Sequence, residues 1–261
     1  MNPFLSRIVL GAALTVASVP TGAAQPSPCS GGDPAPSGFL LTKVGLSAAI
    51  LSATQHQQTY QGDVKMVQTW NSGCGWPYQR TLIDLLPSYD EKWNPHATPV
   101  ITRNFGADIQ HMFFLNSNAV YAYVTNNLYH NNSLGLYLRQ SYGGGFGVVH
   151  GNLELDADVR FIGEHFYTPG ASATLAGTGL KGSYKIPLGS KGASLNLTEQ
   201  LVPVFNQERA WFSNGYAGLN VPITQKWAVT VTAYDNYLRN APYTFRRNYL
   251  KSTIGIAYTP K

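Results

Sequence analysis

The stretch NLELDADVRF, residues 152–161, alternates without a break: Leu153, Leu155, Ala157, Val159 and Phe161 are apolar, whereas Asn152, Glu154, Asp156, Asp158 and Arg160 are polar or charged. A two-residue period belongs to a β-strand with one apolar and one polar face. In a soluble protein the apolar face packs on a core. In a membrane barrel it meets lipid and the charges turn inward. The ten residues fit both arrangements, so the flanking sequence decides.

The alternation recurs along most of the chain. Val44, Leu46, Ala48 and Ile50 share a face, as do Phe105, Ala107, Ile109, His111 and Phe113. Leu134, Leu136 and Leu138 alternate with Gly135, Tyr137 and Arg139, and Val229 and Val231 alternate with Thr230 and Thr232. Thr81–Leu86 is a short apolar run that Pro87 is expected to end. No segment sustains a 3.6-residue period. The pattern predicts about twelve strands of roughly 9–14 residues, close to the length that crosses a bilayer as a tilted strand. The turns LNSN, LGSKG and TQK are short, whereas 164–172, 206–211 and 239–247 are longer. Short turns at one end and longer loops at the other mark an outer-membrane barrel.

Composition points the same way. Charged residues make up 12% of the chain, against about 25% in ordinary soluble proteins. The polar faces carry Ser, Thr, Asn, Gln, Gly and Tyr more often than charges, which suits a crowded, hydrated lumen better than open water. The expected fold is therefore all-β: an antiparallel, up-and-down transmembrane β-barrel. Its lipid-facing residues would include Leu134, Leu136, Leu138, Leu153, Leu155, Val159, Val229 and Val231. Its lumen would hold Arg139, Glu154, Asp156, Asp158, Arg160, Lys181 and Lys185, paired as salt bridges. Trp70, Trp93, Tyr129, Trp211, Trp227 and Tyr258 fall near strand ends, where aromatic girdles sit. Glu199 breaks the pattern, sharing a face with Leu195, Leu197 and Leu201. Either a bulge near Pro203 shifts the register or Glu199 lies at the membrane interface.

The N-terminus reads as a cleaved export signal over residues 1–24: Arg7, an uncharged run Ile8–Val19, and small residues up to Ala24. Residues 25–37 form a Pro/Ser/Gly leader, and 38–261 the barrel. Localisation in a bacterial outer membrane follows, with membrane lipids and the barrel assembly machinery as partners and a monomer as the expected state. The formal net charge of +5 is scattered, so nucleic acid is not an expected partner. Cys29 and Cys74 could form a disulfide in an oxidising compartment.

RQSYGGGFG (139–147) followed by LELDADVRFIGEHF (153–166), then GYAGLNVPITQKWAVTVTAYDNYLRNAPYTFRRN (215–248) and a closing TIGIAY (253–258), resembles the domain-of-unknown-function 481 family, also called salt-induced outer membrane proteins. The resemblance covers about Leu128–Tyr258. It implies an outer-membrane barrel of unassigned activity and no catalytic residues. Such barrels usually end on an aromatic residue, whereas here Thr259, Pro260 and Lys261 follow Tyr258.

No catalytic, cofactor or metal motif emerges. Gly143–Gly145 lacks the Lys-Ser/Thr and the helix of a phosphate loop and reads as a strand kink or a close backbone approach. The six histidines, His56, His96, His111, His130, His150 and His165, are dispersed. The expected role is structural, or that of a narrow pore in the envelope, linked to salt or osmotic stress. The alternatives are an exported soluble barrel binding a small apolar ligand, with its Leu/Val faces inward, and a lipid-modifying barrel enzyme using His150 or His165.

Overall fold

A computed structural model of the protein describes residues 11–12, 39–52, 56–70, 79–93, 100–115, 119–168, 170–189, 192–205, 211–239 and 248–259. The leader 25–37, the signal cleavage site, Cys29 and Cys74 lie outside the described residues. Twelve long strands follow one another: β1 Phe39–Ser52, β2 His56–Trp70, β3 Gln79–Trp93, β4 Val100–Phe114, β5 Val120–Asn131, β6 Leu136–His150, β7 Leu153–Phe166, β8 Ala173–Leu188, β9 Ala193–Pro203, β10 Trp211–Pro222, β11 Trp227–Leu238 and β12 Asn248–Tyr258. Each pairs antiparallel with its sequence neighbours, and β12 returns to β1. The result is the closed up-and-down barrel that the alternation predicts. A two-residue strand, Gly11–Ala12, lies beside Ala49 and Ala48 of β1.

Segments 115–119, 151–152, 189–192 and 223–226 join strands at one end, called here the turn end. Segments 132–135, 167–172, 204–210 and 239–247 join them at the other, the loop end. The linkers 71–78 and 53–55 reverse that contrast. Between β5 and β6 the chain makes a 3₁₀ turn, Asn132–Leu134, whose Asn131 side chain accepts from the Leu134 amide. Gly135 closes that turn at φ 64°, a conformation costly for a residue with a Cβ.

Pro87 does not end a strand; β3 runs through it. Having no N–H, it sits where the β2–β3 ladder lapses, between Gln61–Ser88 and Val64–Leu85. Gly62 faces it, and a Cβ there would meet Pro87 Cγ at 3.1 Å.

Candidate functional site

Bonds between strands that are not neighbours identify the inner face. Tyr129 on β5 donates to Asn236 on β11, half-way round the barrel. The Arg139 guanidinium on β6 lies 4.2 Å from the ring centroid of Phe212 on β10. Residues alternating with these face outward.

The enclosed charges centre on β7. Asp158 takes two bonds from Arg160, at 2.6 and 2.7 Å, one from the Gly179 amide at 3.0 Å and one from the Tyr123 hydroxyl at 2.7 Å. Asp156 accepts from Tyr121 and from Lys181 Nζ at 3.4 Å. Tyr121 also reaches Glu154 at 3.0 Å. Arg160 donates to Asn127 at 2.9 Å. Higher up, Arg139 donates to the buried Glu164 at 2.7 Å. Lys185 lies half-buried on the same face as Lys181 and makes no ion pair among the described residues.

Glycine makes this packing feasible. Asp156, Asp158 and Arg160 pair across β6 with Gly147, Gly145 and Gly143. On β8, Gly179 and Gly177 oppose Asp158 and Arg160. A Cβ at Gly145 would collide with the Ala157 carbonyl, and one at Gly147 with Tyr121 and Asp156. The carboxylates thus lie against bare backbone, and tyrosines two strands away reach over it. Charges buried in this way are tolerable because each is paired and hydrogen-bonded.

The sequence singled out the β7 charges but missed their partners Tyr121, Tyr123 and Asn127. The Tyr-x-Tyr spacing on β5 was the available signal. It also missed the pairs Lys43–Asp63, fully buried, and Lys65–Asp84. These join β1 to β2 and β2 to β3 along the inner face.

Leu153, Leu155 and Val159 are on the outer face, exposed. Val231 on β11 is likewise exposed on the outer face, while Val229 and Leu138 are half-buried on that face. Leu134 and Leu136 are not outside. They are buried at 3% and 0% exposure in an inner apolar cluster with Ile162, Phe166, Leu175 and Phe212. Leu134 belongs to the 3₁₀ turn, and a register shift between Leu136 and Leu138 turns Leu136 inward. Tyr129 is likewise no girdle residue, since it spans the lumen to Asn236. Trp211, Trp227 and Tyr258 occupy the outer face near strand ends, whereas the Trp70 and Trp93 side chains are outside the described residues. Glu199 stays in unbroken register from Ala193 to Pro203 and points outward, so no bulge moves it. It pairs with Gly215, which pairs in turn with the outward Asp235.

Together these features define a closed antiparallel barrel with an apolar exterior and a charge-paired, hydrogen-bonded interior. The chain belongs to the DUF481 family of proteins of unknown function, whose profile matches residues 44–259 and so takes in the first half of the barrel as well. No curated protein matches the sequence significantly.

Proposed function

We propose that the protein is a bacterial outer-membrane barrel with a blocked lumen, a structural element of the envelope rather than an open porin or an enzyme. The observation that carries this reading is the distribution of exposure. Leu46, Phe146, Phe161 and Leu250 are 65–74% exposed on the outer face, while Asp156, Asp158 and Arg160 are buried. An exposed apolar surface of this extent would aggregate in water but suits hydrocarbon. Trp227 packs on Tyr258 at the turn end, and Trp211 stacks on Tyr237 at the loop end. Between Trp227 and Tyr237, at about 3.3 Å per residue and a tilt of about 40°, β11 rises roughly 25 Å, the height of a barrel's apolar band.

Two apolar clusters support a blocked lumen. The one containing Leu136 and Phe212 lies toward the loop end, and Met112, Phe114, Tyr121 and Tyr123 lie toward the turn end. The Tyr129–Asn236 bond crosses between opposite walls. The link to salt or osmotic stress rests on the family resemblance alone. His150 and His165 are exposed on the outer face and neither is bonded to a hydroxyl among the described residues. The hydroxyl–imidazole pair Thr81–His111, at 2.8 Å, has its threonine only 8% exposed, which withholds a nucleophile from substrate. Refolded protein is expected to partition with detergent and vesicles and to give no sustained conductance steps in a planar bilayer. Release by osmotic shock would overturn the membrane placement, and steady ohmic steps would overturn the blocked lumen.

A further inference from the structure

The barrel is not equally strong all round. Every other neighbouring pair of strands is joined by eight to fourteen paired positions. The closure of β1 on β12 has five, Val44–Ala48 with Tyr258–Ile254. Those same β1 residues are skipped by the β1–β2 ladder, which resumes only at Ala49–Thr59. The middle of β1 is therefore laddered on one side alone. Above Ala48 the facing edges, Ala49–Ser52 and Asn248–Thr253, do not pair with each other. Gly11–Ala12 bonds to the lowest part of that edge, and the expected cleavage after Ala24 removes it. Backbone groups left unpaired beside hydrocarbon are costly, so this seam is where a polar partner gains most.

One lysine stands behind the unpaired part. Lys251 of β12 faces inward, 3.5 Å from Asp90. Asp90 keeps shorter bonds from Thr59 at 2.5 Å and Asn104 at 3.1 Å. Lys251 can thus leave without stranding the carboxylate. Outside, the seam is flanked by the exposed aliphatic side chains of Leu46, Leu250 and Ile256.

We propose that the β1–β12 seam is a lateral entry site for an amphiphile with an anionic phosphate headgroup: the phosphate passes between the strands to Lys251 while the acyl chains stay on Leu46, Leu250 and Ile256. This rests on the membrane placement proposed above. On the reading of a blocked lumen, the seam is the weakest wall between lumen and bilayer.

The test uses protein purified from membranes, with Cys29 and Cys74 changed to Ser, reconstituted in mixed phosphatidylglycerol and phosphatidylethanolamine vesicles. Flotation with the vesicles is scored first, and its failure overturns the membrane reading rather than the site. Lipid retained after re-extraction is then counted by native mass spectrometry. Phosphatidylglycerol is expected to be retained over phosphatidylethanolamine. Lys251→Ala should lower its retention about tenfold, and Lys251→Arg should preserve it. Bridging Ile50→Cys to Ser252→Cys, across the unpaired edge above Ala48, before lipid is added should abolish retention, and reduction should restore it. The same bridge at Leu219→Cys/Val231→Cys, in a fully laddered pair, should do nothing. Unchanged retention in Lys251→Ala or in the bridged seam overturns the proposal. So does displacement of the lipid by soluble glycerol phosphate, which would mark a free-phosphate site.

Discussion

Strands β7 and β11 both alternate over most of their length, yet they place their charges on opposite sides. β7 encloses Glu154, Asp156, Asp158, Arg160 and Glu164 and carries no acid or base of that kind on its outer face. β11 encloses Thr230, Thr232, Tyr234 and Asn236 and presents Asp235 outside. The difference lies in the neighbours. Inward glycines on β6 and β8 give the β7 charges room to lie flat and meet tyrosines. β11 also meets inward glycines, Gly218 opposite Thr232 and Gly255 opposite Thr230, but elsewhere it is flanked by neutral hydroxyl and amide groups that pair among themselves, as in Thr232–Thr253 at 2.9 Å and Asn236–Asn214 at 2.8 Å. The β7 charges lie flat against the wall because the adjoining strands yield volume at those positions.

The largest expected effect tests that volume directly. Gly145→Ala drives a methyl into the Ala157 carbonyl, where the obstacle is backbone and cannot turn aside. We expect more than about 4 kcal/mol of destabilisation, seen as loss of the compact, heat-modifiable band on a gel. Gly163→Ala, with nothing within 4 Å of its Cβ, should leave that band intact. Equal behaviour of the two variants would break the contrast between β7 and β11.

Next in size is Asp158→Leu. It leaves Arg160 buried without its carboxylate, at a cost of about 3–5 kcal/mol. Because pairing rather than charge is at stake, Asp158→Leu combined with Arg160→Leu should recover most of that loss in urea unfolding from bilayers. The corresponding change on β11, Thr232→Leu, forfeits only the bond to Thr253, about 1 kcal/mol.

The same contrast shows what could be read from the sequence. Alternation fixes which residues share a face, and the side of Glu154, Asp156, Asp158 and Arg160 follows from the cost of exposing them. It does not foresee a local register shift. Leu134, Leu136 and Leu138 look like one stripe, but the shift before Leu138 and the 3₁₀ turn at Asn132–Leu134 bury the first two. Nor does it say who reaches across the lumen. Tyr129 sits near a strand end, as a girdle residue would, and only closure of the barrel brings Asn236 opposite it. Partners on remote strands depend on strand number and stagger, which no short window of sequence contains. The SYGGGFG run was legible as a place of close backbone approach, whereas the tyrosines passing over it were not.

Tyr129→Phe sharpens this point at a smaller scale. It removes the bond to Asn236 and the one accepted from Asn131 without changing the ring, so the loss should be about 1–2 kcal/mol. A small conductance appearing in this variant alone would assign the hydroxyl to the blockage; silence in bilayers would leave the closure to the apolar clusters.

The smallest effect is expected on the outer face of the neutral arc. Glu199 and Asp235 flank Gly215, and Asp235 Oδ1 is buried without a hydrogen bond. They lie one outward position below Tyr237 and Ser213, close to the loop-end aromatics. Outward charges cost most at the bilayer midplane and about 0–1 kcal/mol near its edge. Glu199→Gln with Asp235→Asn should therefore stabilise the folded barrel in bilayers by less than about 1 kcal/mol, measured as a rise in the urea midpoint. In detergent, where water reaches the outer face, the gain should shrink. The sign matters more than the size: a clear destabilisation would mean that the two carboxylates hold a cationic partner, and the outer surface of β9–β11 would then be an interface instead of a lipid-facing wall.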